Sequence, residues 1–474
     1  MGPPRQGSSR KAGKDKKKPS QAPRRSNPSK SAPKEADERE SPIDLSATIP
    51  LTLQQLLLNV FRSALLTTPG PPPTDSAEEP RQLDIKSLIQ TIKSHLYNRD
   101  FDSAFTDANG DLLHAYALRW STSRALGYAG LFKALFKDVL RLPAGGDADA
   151  DADADADAAT SHVTHPHVVC IGGGAGAEIV ALAAIWRDLI DERAGKTSLA
   201  DGVAGTSLDD APSTSSSSST PAASRAALTV TAVDIADWST VVDRLASTIG
   251  APDVRGSRSH AAPLVDPVRG GFSVRSRRSD VLTLPDEGLR ELLHLPASSS
   301  SPTSSTERHQ LDGVGEGEGE GVGKNPATTV LVTLMFTLNE LFSTSMAKAT
   351  GFLLRMTDFL QPGTVLLVVD SPGSYSTLKL GKGGNTKKSD GGGEAETTAA
   401  SASASAPQER NYPMKFLLDH ALLSVAKGKW ERVYSQDSRW WRREAARLSW
   451  DVGEGAGLED MRFQVHIYRR LDGK

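Results

Sequence analysis

The chain has 474 residues, of which 38% are hydrophobic and 5% aromatic, and these low fractions indicate that long stretches lie outside any folded core. The single cysteine, Cys170, excludes an internal disulfide framework and a multi-cysteine zinc site, so no metal is expected. No apolar run is long enough to span a bilayer, and the N-terminus is too polar for a secretory signal. We therefore expect a soluble, intracellular protein with no membrane partner.

The formal net charge of −3 averages over blocks of opposite sign. Residues 1–34 are rich in Lys and Arg, whereas residues 147–157 form an Ala-Asp repeat and residues 315–321 a Gly-Glu repeat. The basic block is typical of a disordered tail that serves nuclear targeting or RNA contact, or of a solvated tail with no specific role. The predicted organisation is a basic tail over 1–44, a helical cap over 45–145, an Ala-Asp linker over 146–165 and a catalytic domain over 166–474 with low-complexity insertions near 195–225, 297–326 and 381–409.

Segments with helical periodicity follow the tail, over residues 51–66, 84–97 and 112–142. Their apolar faces predict a cap that packs on the rest of the protein. Within the third segment, Arg119, Trp120 and Arg124 place two guanidinium groups beside an aromatic ring, an arrangement suited to contact with RNA phosphates or bases. Exposed arginines on a half-buried helix are an equally good interpretation.

The segment 167–178 predicts a short buried strand, a glycine turn and the start of an apolar helix. Gly172, Gly174 and Gly176 lack a Cβ, so the backbone can turn sharply and lie close to a ligand that the amides of the next helix face. The spacing also satisfies the dinucleotide fingerprint, so the turn predicts a nucleotide-like cofactor and not a particular one. Cys170, which lies between two apolar residues, is expected to be a core thiol.

Acidic residues lie at the ends of the next two predicted strands. The strand over 228–234 ends in Asp234, where a doubly wound sheet places a carboxylate that accepts hydrogen bonds from ribose hydroxyls; the alternative is a helix N-cap. The strand over 272–282 carries Asp280 near its end, where the carboxylate is expected to accept from an adenine amino group.

The remaining strands are predicted at 328–337, 364–369, 430–435 and 461–469, with helices through residue 360 and from 412 to 425. Alternation of strand and helix after residue 165 predicts an α/β fold with a mostly parallel, Rossmann-like sheet. The last two strands are expected to pair antiparallel. That terminal pair, and the lack of a second domain with a histidine for hydride transfer, favour S-adenosylmethionine (SAM) over NAD as the cofactor.

The order of these motifs resembles that of the class I SAM-dependent methyltransferases. Cys170 stands where most members of that group have an acid, and Glu178, just inside the following helix, is expected to compensate in part. More narrowly, the series resembles the fungal enzymes that methylate N3 of a uridine in 25S ribosomal RNA. The matching segments are 119–125, 170–176, 234–238, 335–342, 370–375 and 412–414.

The resemblance implies a SAM site, an RNA site and a catalytic pair. The residues expected to bind SAM are Gly172, Gly174, Gly176, Glu178, Asp234, Ile235, Asp280, Phe336 and Thr337. The residues expected to contact the substrate RNA are Arg119, Trp120, Arg124, Tyr375 and Tyr412. Glu340 is expected to act as general base toward uridine N3, or else to cap its helix, and Asn339 to donate a hydrogen bond to a uracil carbonyl. Because a base must leave its stack to react, Phe336, Tyr375 or Tyr412 is expected to face it.

Two alternatives stay open at this stage. An NAD-dependent oxidoreductase would also satisfy the glycine spacing. A non-catalytic RNA-binding or ribosome-assembly factor on a methyltransferase scaffold would account for Cys170. The leading interpretation predicts large-subunit ribosomal RNA or a pre-ribosome as partner, and the nucleus, in particular the nucleolus, as location, with the cytoplasm as alternative.

Overall fold

The computed structural model describes residues 43–66, 83–98, 100–142, 165–204, 227–268, 270–294, 328–373, 375–379, 409–444 and 447–473. The predicted basic tail and Ala-Asp linker, and most of each predicted insertion, lie outside these described residues. The proposed domain boundaries therefore stay predictions.

A seven-stranded sheet in the order β3-β2-β1-β4-β5-β9-β8 forms the centre of the fold. Strands β1 to β5 are parallel, and β9 pairs antiparallel with both β5 and β8. The strands of this sheet are β1 (Pro166–Ile171), β2 (Ala227–Asp234), β3 (Gly271–Arg278), β4 (Thr328–Met335), β5 (Val365–Asp370), β8 (Trp430–Trp441) and β9 (Met461–Arg470). This topology confirms the predicted mostly parallel sheet with an antiparallel C-terminal strand pair.

Helices cover both faces of the sheet. Their bounds are α1 (Leu51–Leu65), α2 (Ile85–Tyr97), α3 (Gly110–Tyr116), α4 (Thr122–Ala134), α5 (Ala177–Ala204), α6 (Ser239–Ile249), α7 (Asp286–Leu293), α8 (Leu338–Thr344), α9 (Met346–Phe359) and α10 (Met414–Asp419). Every residue of β1 and β5 is buried, as expected for strands covered on both sides. A short antiparallel ladder of β6 (Tyr375–Lys379) and β7 (Glu409–Pro413) was not predicted, because the two strands flank a predicted insertion.

The third predicted cap helix is not regular. α3 and α4 are joined through a π-helical turn at Ala117–Ser121, and a second π-helical turn follows at Leu135–Val139. The helices of the cap share one hydrophobic cluster with β1, α5 and α6, to which Phe61, Phe132 and Trp186 contribute fully buried rings. The predicted helical cap is therefore part of the core on one face of the sheet.

The carboxyl ends of the five parallel strands meet at one edge of the sheet, because parallel strands all end on the same side. The glycine turn follows β1 at this edge, Asp234 ends β2, and Asp370 ends β5. β9 runs in the opposite direction, so it begins at this edge instead. Sequence segments that are far apart are thereby brought to one place.

Candidate active site

A cavity of about 480 Å³ opens at this edge, between the strand ends and the cap. The strand ends contribute residues that follow or end β1, β2, β3 and β4. The cap contributes Asp100, Phe101, Asp102, Phe105, Thr106, Tyr116 and Arg124. The predicted site residues that line the cavity are Gly172, Asp234, Ile235, Asp280, Phe336, Thr337, Glu340 and Arg124.

The glycine turn makes room for neighbouring side chains. Gly172 has a φ of +76°, which a residue with a Cβ rarely adopts, and its N–H donates to the carbonyl of Val233 at 2.7 Å. A Cβ at Gly172 would collide with the Thr337 side chain, and a Cβ at Gly174 would collide with the Trp238 ring. The glycines therefore let the ends of β2 and β4 pack against the turn, while the backbone of Gly172 faces the cavity.

Asp234 joins the glycine turn to the end of β2. Its carboxylate accepts from the N–H of Gly174 and from the N–H of Ala236, both at 3.2 Å. Burial raises the pKa of this carboxyl, although these hydrogen bonds oppose the shift. Asp234 is not the N-cap of α6, which is Trp238. The half-buried carboxylate lines the cavity, where a ribose contact requires it to be.

Asp280 lines the cavity at the end of β3, the strand next to β2. Its Oδ1 accepts from the N–H of Leu282 at 2.9 Å, and its Oδ2 accepts from the Thr283 hydroxyl at 3.0 Å. These bonds fix a turn directly after β3. The side chain of Ile235, which follows Asp234, also lines the cavity and is 49% exposed although it is apolar. An exposed apolar side chain in a cavity that also holds two acidic acceptors is suited to hold a flat base.

Glu178 does not line the cavity, so the structure gives no support to its predicted contact with the cofactor. The side chain is 3% exposed, and its Oε1 accepts from the Thr333 hydroxyl at 3.0 Å. A Cβ built on Gly173 would approach both Cys170 and the Glu178 carboxylate, so the two side chains share one space behind the turn. Burial raises the pKa of Glu178 to about 7 and that of the Cys170 thiol well above its usual value. Cys170 is thus the core thiol expected from sequence.

Arg124 is the positively charged side chain among the described residues that line the cavity. Its guanidinium donates to the Tyr116 hydroxyl at 3.0 Å, and its central carbon lies 4.8 Å from the centre of the Phe336 ring. Phe336 has a φ of +60°, an unusual conformation for a residue with a side chain, and its N–H donates to the carbonyl of Val369 at 2.6 Å. The strained backbone and the cation hold the aromatic ring at the cavity wall.

Glu340 and Asn339 lie in the first turn of α8 but differ in their surroundings. The Glu340 side chain is exposed at the cavity mouth and forms no hydrogen bond or ion pair within the described residues, so it does not cap the helix. Partial burial, together with the carboxylates of Asp234 and Asp370, raises its pKa. The Asn339 N–H donates to Asp370 at 3.0 Å, while its Oδ1 is buried without a hydrogen-bond partner among the described residues.

Arg119 and Trp120 do not reach the cavity, although the sequence places them next to Arg124. Arg119 is 6% exposed and forms an ion pair with Glu459. This environment leaves it no surface for an RNA phosphate, which corrects the prediction from sequence. Trp120 is half-buried, with its ring 4.8 Å from that of Tyr116.

The two predicted tyrosine contacts lie near the β6–β7 ladder. Tyr412 is half-buried and stacks on Phe416 at a ring distance of 5.4 Å. The side chain of Tyr375 lies outside the described residues. The predicted RNA contacts of both tyrosines stay predictions.

Sequence reasoning missed the contribution of the cap to the cavity. Asp100, Phe101 and Asp102, together with Phe105 and Tyr116, form the wall opposite the strand ends. The rings of Phe105 and Tyr116 lie 5.1 Å apart in an edge-to-face arrangement. The available signal was the acidic and aromatic segment 100–105, which has no helical periodicity and lies between two strong helices.

Acidic residues outnumber basic residues among the described residues that line the cavity. Its acidic lining residues are Asp100, Asp102, Asp234, Asp280 and Glu340. Arg124 is the one basic residue among the residues that line it in the described part of the chain. Such a site favours a ligand with a cationic centre, hydroxyl or amino donors and one anionic group for the arginine. Within the described segments, no set of three or more His, Cys, Asp or Glu side chains is placed to hold a metal ion.

Residues 74–469 match the family model of the SAM-dependent methyltransferases. The chain belongs to this family. It is 28% identical over 435 residues, which are 90% of this chain and 87% of the relative, to a Saccharomyces cerevisiae protein named 25S rRNA (uridine(2843)-N(3))-methyltransferase. A SAM-dependent methyltransferase from Methanosarcina mazei is 8% identical, with 64% of this chain and 92% of that one covered and a TM-score of 0.27. Human N-acetylserotonin methyltransferase, solved with SAM, is 11% identical, with 89% and 93% covered and a TM-score of 0.23.

The cavity of this SAM-dependent methyltransferase fits its cofactor. Asp234 would accept from the ribose hydroxyls, and Ile235 and Asp280 would hold the adenine. Arg124, which was predicted from sequence to contact RNA, lies in this cavity and would instead pair with the carboxylate of the methionine part. The acidic lining suits the positive sulfur. Family membership identifies the cofactor as SAM and sets aside the NAD-dependent alternative. No helix in the described ranges is sufficiently long and apolar to cross a membrane.

Proposed function

We propose that this methyltransferase transfers a methyl group from SAM to N3 of a uridine in large-subunit ribosomal RNA. The observation that carries the proposal is the 28% identity over nine-tenths of the chain to a yeast enzyme named for that reaction. The cavity supports it, because a carboxylate without a partner, that of Glu340, lies at the mouth of a cofactor-sized site.

SAM supplies a methyl group on a positively charged sulfur, which leaves as a neutral thioether when the methyl carbon is attacked. Uridine N3 carries a proton, so its electron pair becomes available only when a base takes that proton. Glu340 is the candidate base: its carboxylate accepts the N3 proton, and the nitrogen then bonds to the methyl carbon as the carbon–sulfur bond breaks. The raised pKa of Glu340 makes it a stronger base than an ordinary carboxylate.

The mouth of the cavity suits an unstacked base. Phe101, which is 42% exposed, and Phe336 both line the cavity. Flat aromatic rings take the place of the neighbours that a base loses when it leaves its stack. Asn339, the candidate donor to a uracil carbonyl, is not among the residues that line the cavity in this structure.

Disruption of the gene, followed by mass-spectrometric analysis of nucleosides from ribosomal RNA, tests the proposal. We expect N3-methyluridine in the large-subunit RNA to be lost and to return with the wild-type gene but not with a Glu340→Gln variant. Unchanged N3-methyluridine in the disrupted strain would refute the substrate. Return of the nucleoside with Glu340→Gln would refute the assignment of the base.

The non-catalytic alternative and the location can be tested in the same strains. A non-catalytic ribosome-assembly factor would alter subunit levels in the disrupted strain, and an inactive Glu340→Gln variant would restore them as fully as the wild-type gene does. We propose that the protein acts in the nucleus, in particular the nucleolus, which is supported by the basic block over residues 1–34 and by the proposed pre-ribosomal partner. A fluorescent fusion that stays cytoplasmic would exclude this location.

A further inference from the structure

One exposed aromatic residue lies away from the cavity but at the same edge of the sheet. Trp440 is 51% exposed near the end of β8, the outermost strand. It pairs with Arg462 of β9, and two residues further along β9 Gln464 pairs with Asp370 at the end of β5. Trp440 therefore lies slightly beyond the level at which the parallel strands end, on the side where the cavity opens.

Two cations lie against this indole. The guanidinium carbon of Arg442 is 4.4 Å from the centre of the Trp440 ring, and that of Arg462 is 5.8 Å away. The arrangement follows from strand geometry: Arg442 is two residues along from Trp440, and Arg462 is its cross-strand partner, so all three side chains lie on one face. Trp441 points to the other face, where its ring approaches Gly127 of α4.

The charge of this cluster is only partly neutralised. Arg442 forms an ion pair with Asp460 at 2.9 Å, but Arg462 forms none within the described residues and donates only to the Ser438 hydroxyl at 3.0 Å. Single exposed apolar residues are common on protein surfaces and need no explanation. A half-exposed indole with two guanidinium groups close to its ring is different, because flat rings and arginines together are what single-stranded nucleic acids contact.

The distance between Trp440 and the cavity at the end of β4 is one that a continuous RNA strand can span. Three strand spacings of about 4.8 Å separate β8 from β4, so Trp440 lies on the order of 15 Å from the end of β4. That length corresponds to about four stacked nucleotides at about 3.4 Å each.

We propose that Trp440, Arg442 and Arg462 form a stacking site for an unpaired RNA base a few nucleotides from the methylated uridine. The inference rests on the proposed function for the identity of the RNA, but the stacking contact is measured separately. Trp440 provides the flat surface, and the two arginines orient the ring and attract the backbone. The site adds affinity and selects single-stranded over duplex RNA, because a paired base cannot offer its face.

Equilibrium binding of a labelled single-stranded oligouridine to the full chain tests the inference. We expect Trp440→Ala to weaken binding about tenfold, since loss of one stacked base has about that effect. Trp440→Phe should retain most of the affinity, and Trp440→Leu should lose it. The matched control is Tyr97→Ala, which removes an aromatic ring that is 89% exposed and has no arginine above it in the described structure. A duplex of the same length should bind wild type and Trp440→Ala equally.

A second measurement does not depend on the stability of the alanine variant. Stacking quenches indole fluorescence, so oligouridine should quench part of the emission of the seven tryptophans in the wild type and less in Trp440→Phe. Equal quenching in the two proteins, or equal affinity of wild type, Trp440→Leu and Trp440→Phe, would overturn the inference. So would altered self-association of Trp440→Ala with unchanged RNA binding, which would show that the surface contacts protein.

The two proposals fail in different ways. Loss of RNA affinity in the Trp440 variants, with N3-methyluridine retained after gene disruption, would refute only the proposed function. Loss of N3-methyluridine after disruption, with Trp440 variants that bind RNA as the wild type does, would refute only the stacking site.

Discussion

The guanidinium of Arg124 lies over the ring of Phe336, 4.8 Å from its centre, and so joins a helix of the cap to the end of the central strand β4. The contact places the cation of the cavity beside the strained backbone of Phe336. Arg124 belongs to α4 and Phe336 directly follows β4, so the contact forms only where these two elements pack together. The cavity is therefore assembled only when the cap packs on the sheet.

Arg124→Gln is expected to weaken binding of S-adenosylhomocysteine by about 10- to 100-fold, because a charged hydrogen bond to the carboxylate of the ligand is lost. Isothermal titration calorimetry measures the effect. The control is methylthioadenosine, which lacks the amino-acid part and should bind the variant and the wild type equally. If both ligands lose the same affinity, Arg124 supports the cavity and not the carboxylate.

Glu340→Gln is expected to lower kcat about 10²- to 10⁴-fold with little change in the affinity for S-adenosylhomocysteine, because general-base catalysis contributes about that much. The base must be ionised, so wild-type activity should fall as the pH drops through the raised pKa of Glu340. That fall should occur at higher pH than for an ordinary glutamate and should be missing from the residual activity of the variant. Glu287→Gln, an identical change at an exposed position on α7, should leave the pH profile unchanged.

Gly172→Ala is expected to destabilise the protein by ~1–3 kcal/mol through its positive φ, with a further loss from the collision with Thr337. Gly363→Ala separates the two effects, because Gly363 has a φ of +88° but open space where a Cβ would lie. Thermal unfolding should show a larger loss for Gly172→Ala, and calorimetry should show weaker cofactor binding for that variant alone. Equal losses of stability in both variants would contradict the packing role of Gly172.

Glu178→Gln is expected to stabilise the protein at neutral pH. Below about pH 4.5 the Glu178 carboxyl is protonated in both the folded and the unfolded protein. Between about pH 4.5 and pH 7 it loses its proton in the unfolded protein but keeps it in the folded protein. The free energy of unfolding of the wild type therefore falls as the pH rises through this range, by ~3 kcal/mol from this residue. The difference in melting temperature between variant and wild type should grow from pH 4.5 to pH 7 and then stay constant.

The same Glu178→Gln variant also tests the predicted cofactor contact. The side chain lies behind the glycine turn, so the affinity for S-adenosylhomocysteine should be unchanged at a temperature where both proteins are folded. A clear loss of affinity would mean that Glu178 reaches the ligand after all.

Arg119→Met is expected to lower the melting temperature without weakening RNA binding, because Arg119 is buried and paired with Glu459. Removal of one partner of a buried ion pair lowers the free energy of unfolding by ~3–5 kcal/mol when the remaining charge stays buried and unpaired. The loss should be smaller here, because Glu459 is 55% exposed and water can solvate its charge. RNA affinity is measured below the unfolding transition. Weaker RNA binding by the fully folded variant would restore the original prediction of a phosphate contact.

Local patterns in the sequence determined the sheet and much of the cofactor edge. Apolar and β-branched runs predicted the strands, and the glycines, acids and aromatic residue near the ends of the first four runs were predicted as site residues. Because parallel strands end on one side, Gly172, Asp234, Asp280 and Phe336 line one cavity, while their contacts with the cofactor stay predictions. The antiparallel β8–β9 pair also followed from alternation alone.

Only the tertiary structure decided which face each polar residue of the cap presents. Arg119 and Arg124 are neighbours in sequence, but five residues rotate a helix by about 140° beyond a full turn, and the π-helical turn between α3 and α4 alters that phase. One arginine is thereby paired with Glu459, 340 residues away, and the other is placed in the cavity. Glu178 is likewise turned into the core, where its carboxylate accepts from the Thr333 hydroxyl, 155 residues away. Such choices depend on partners distant in the chain, which no local pattern specifies.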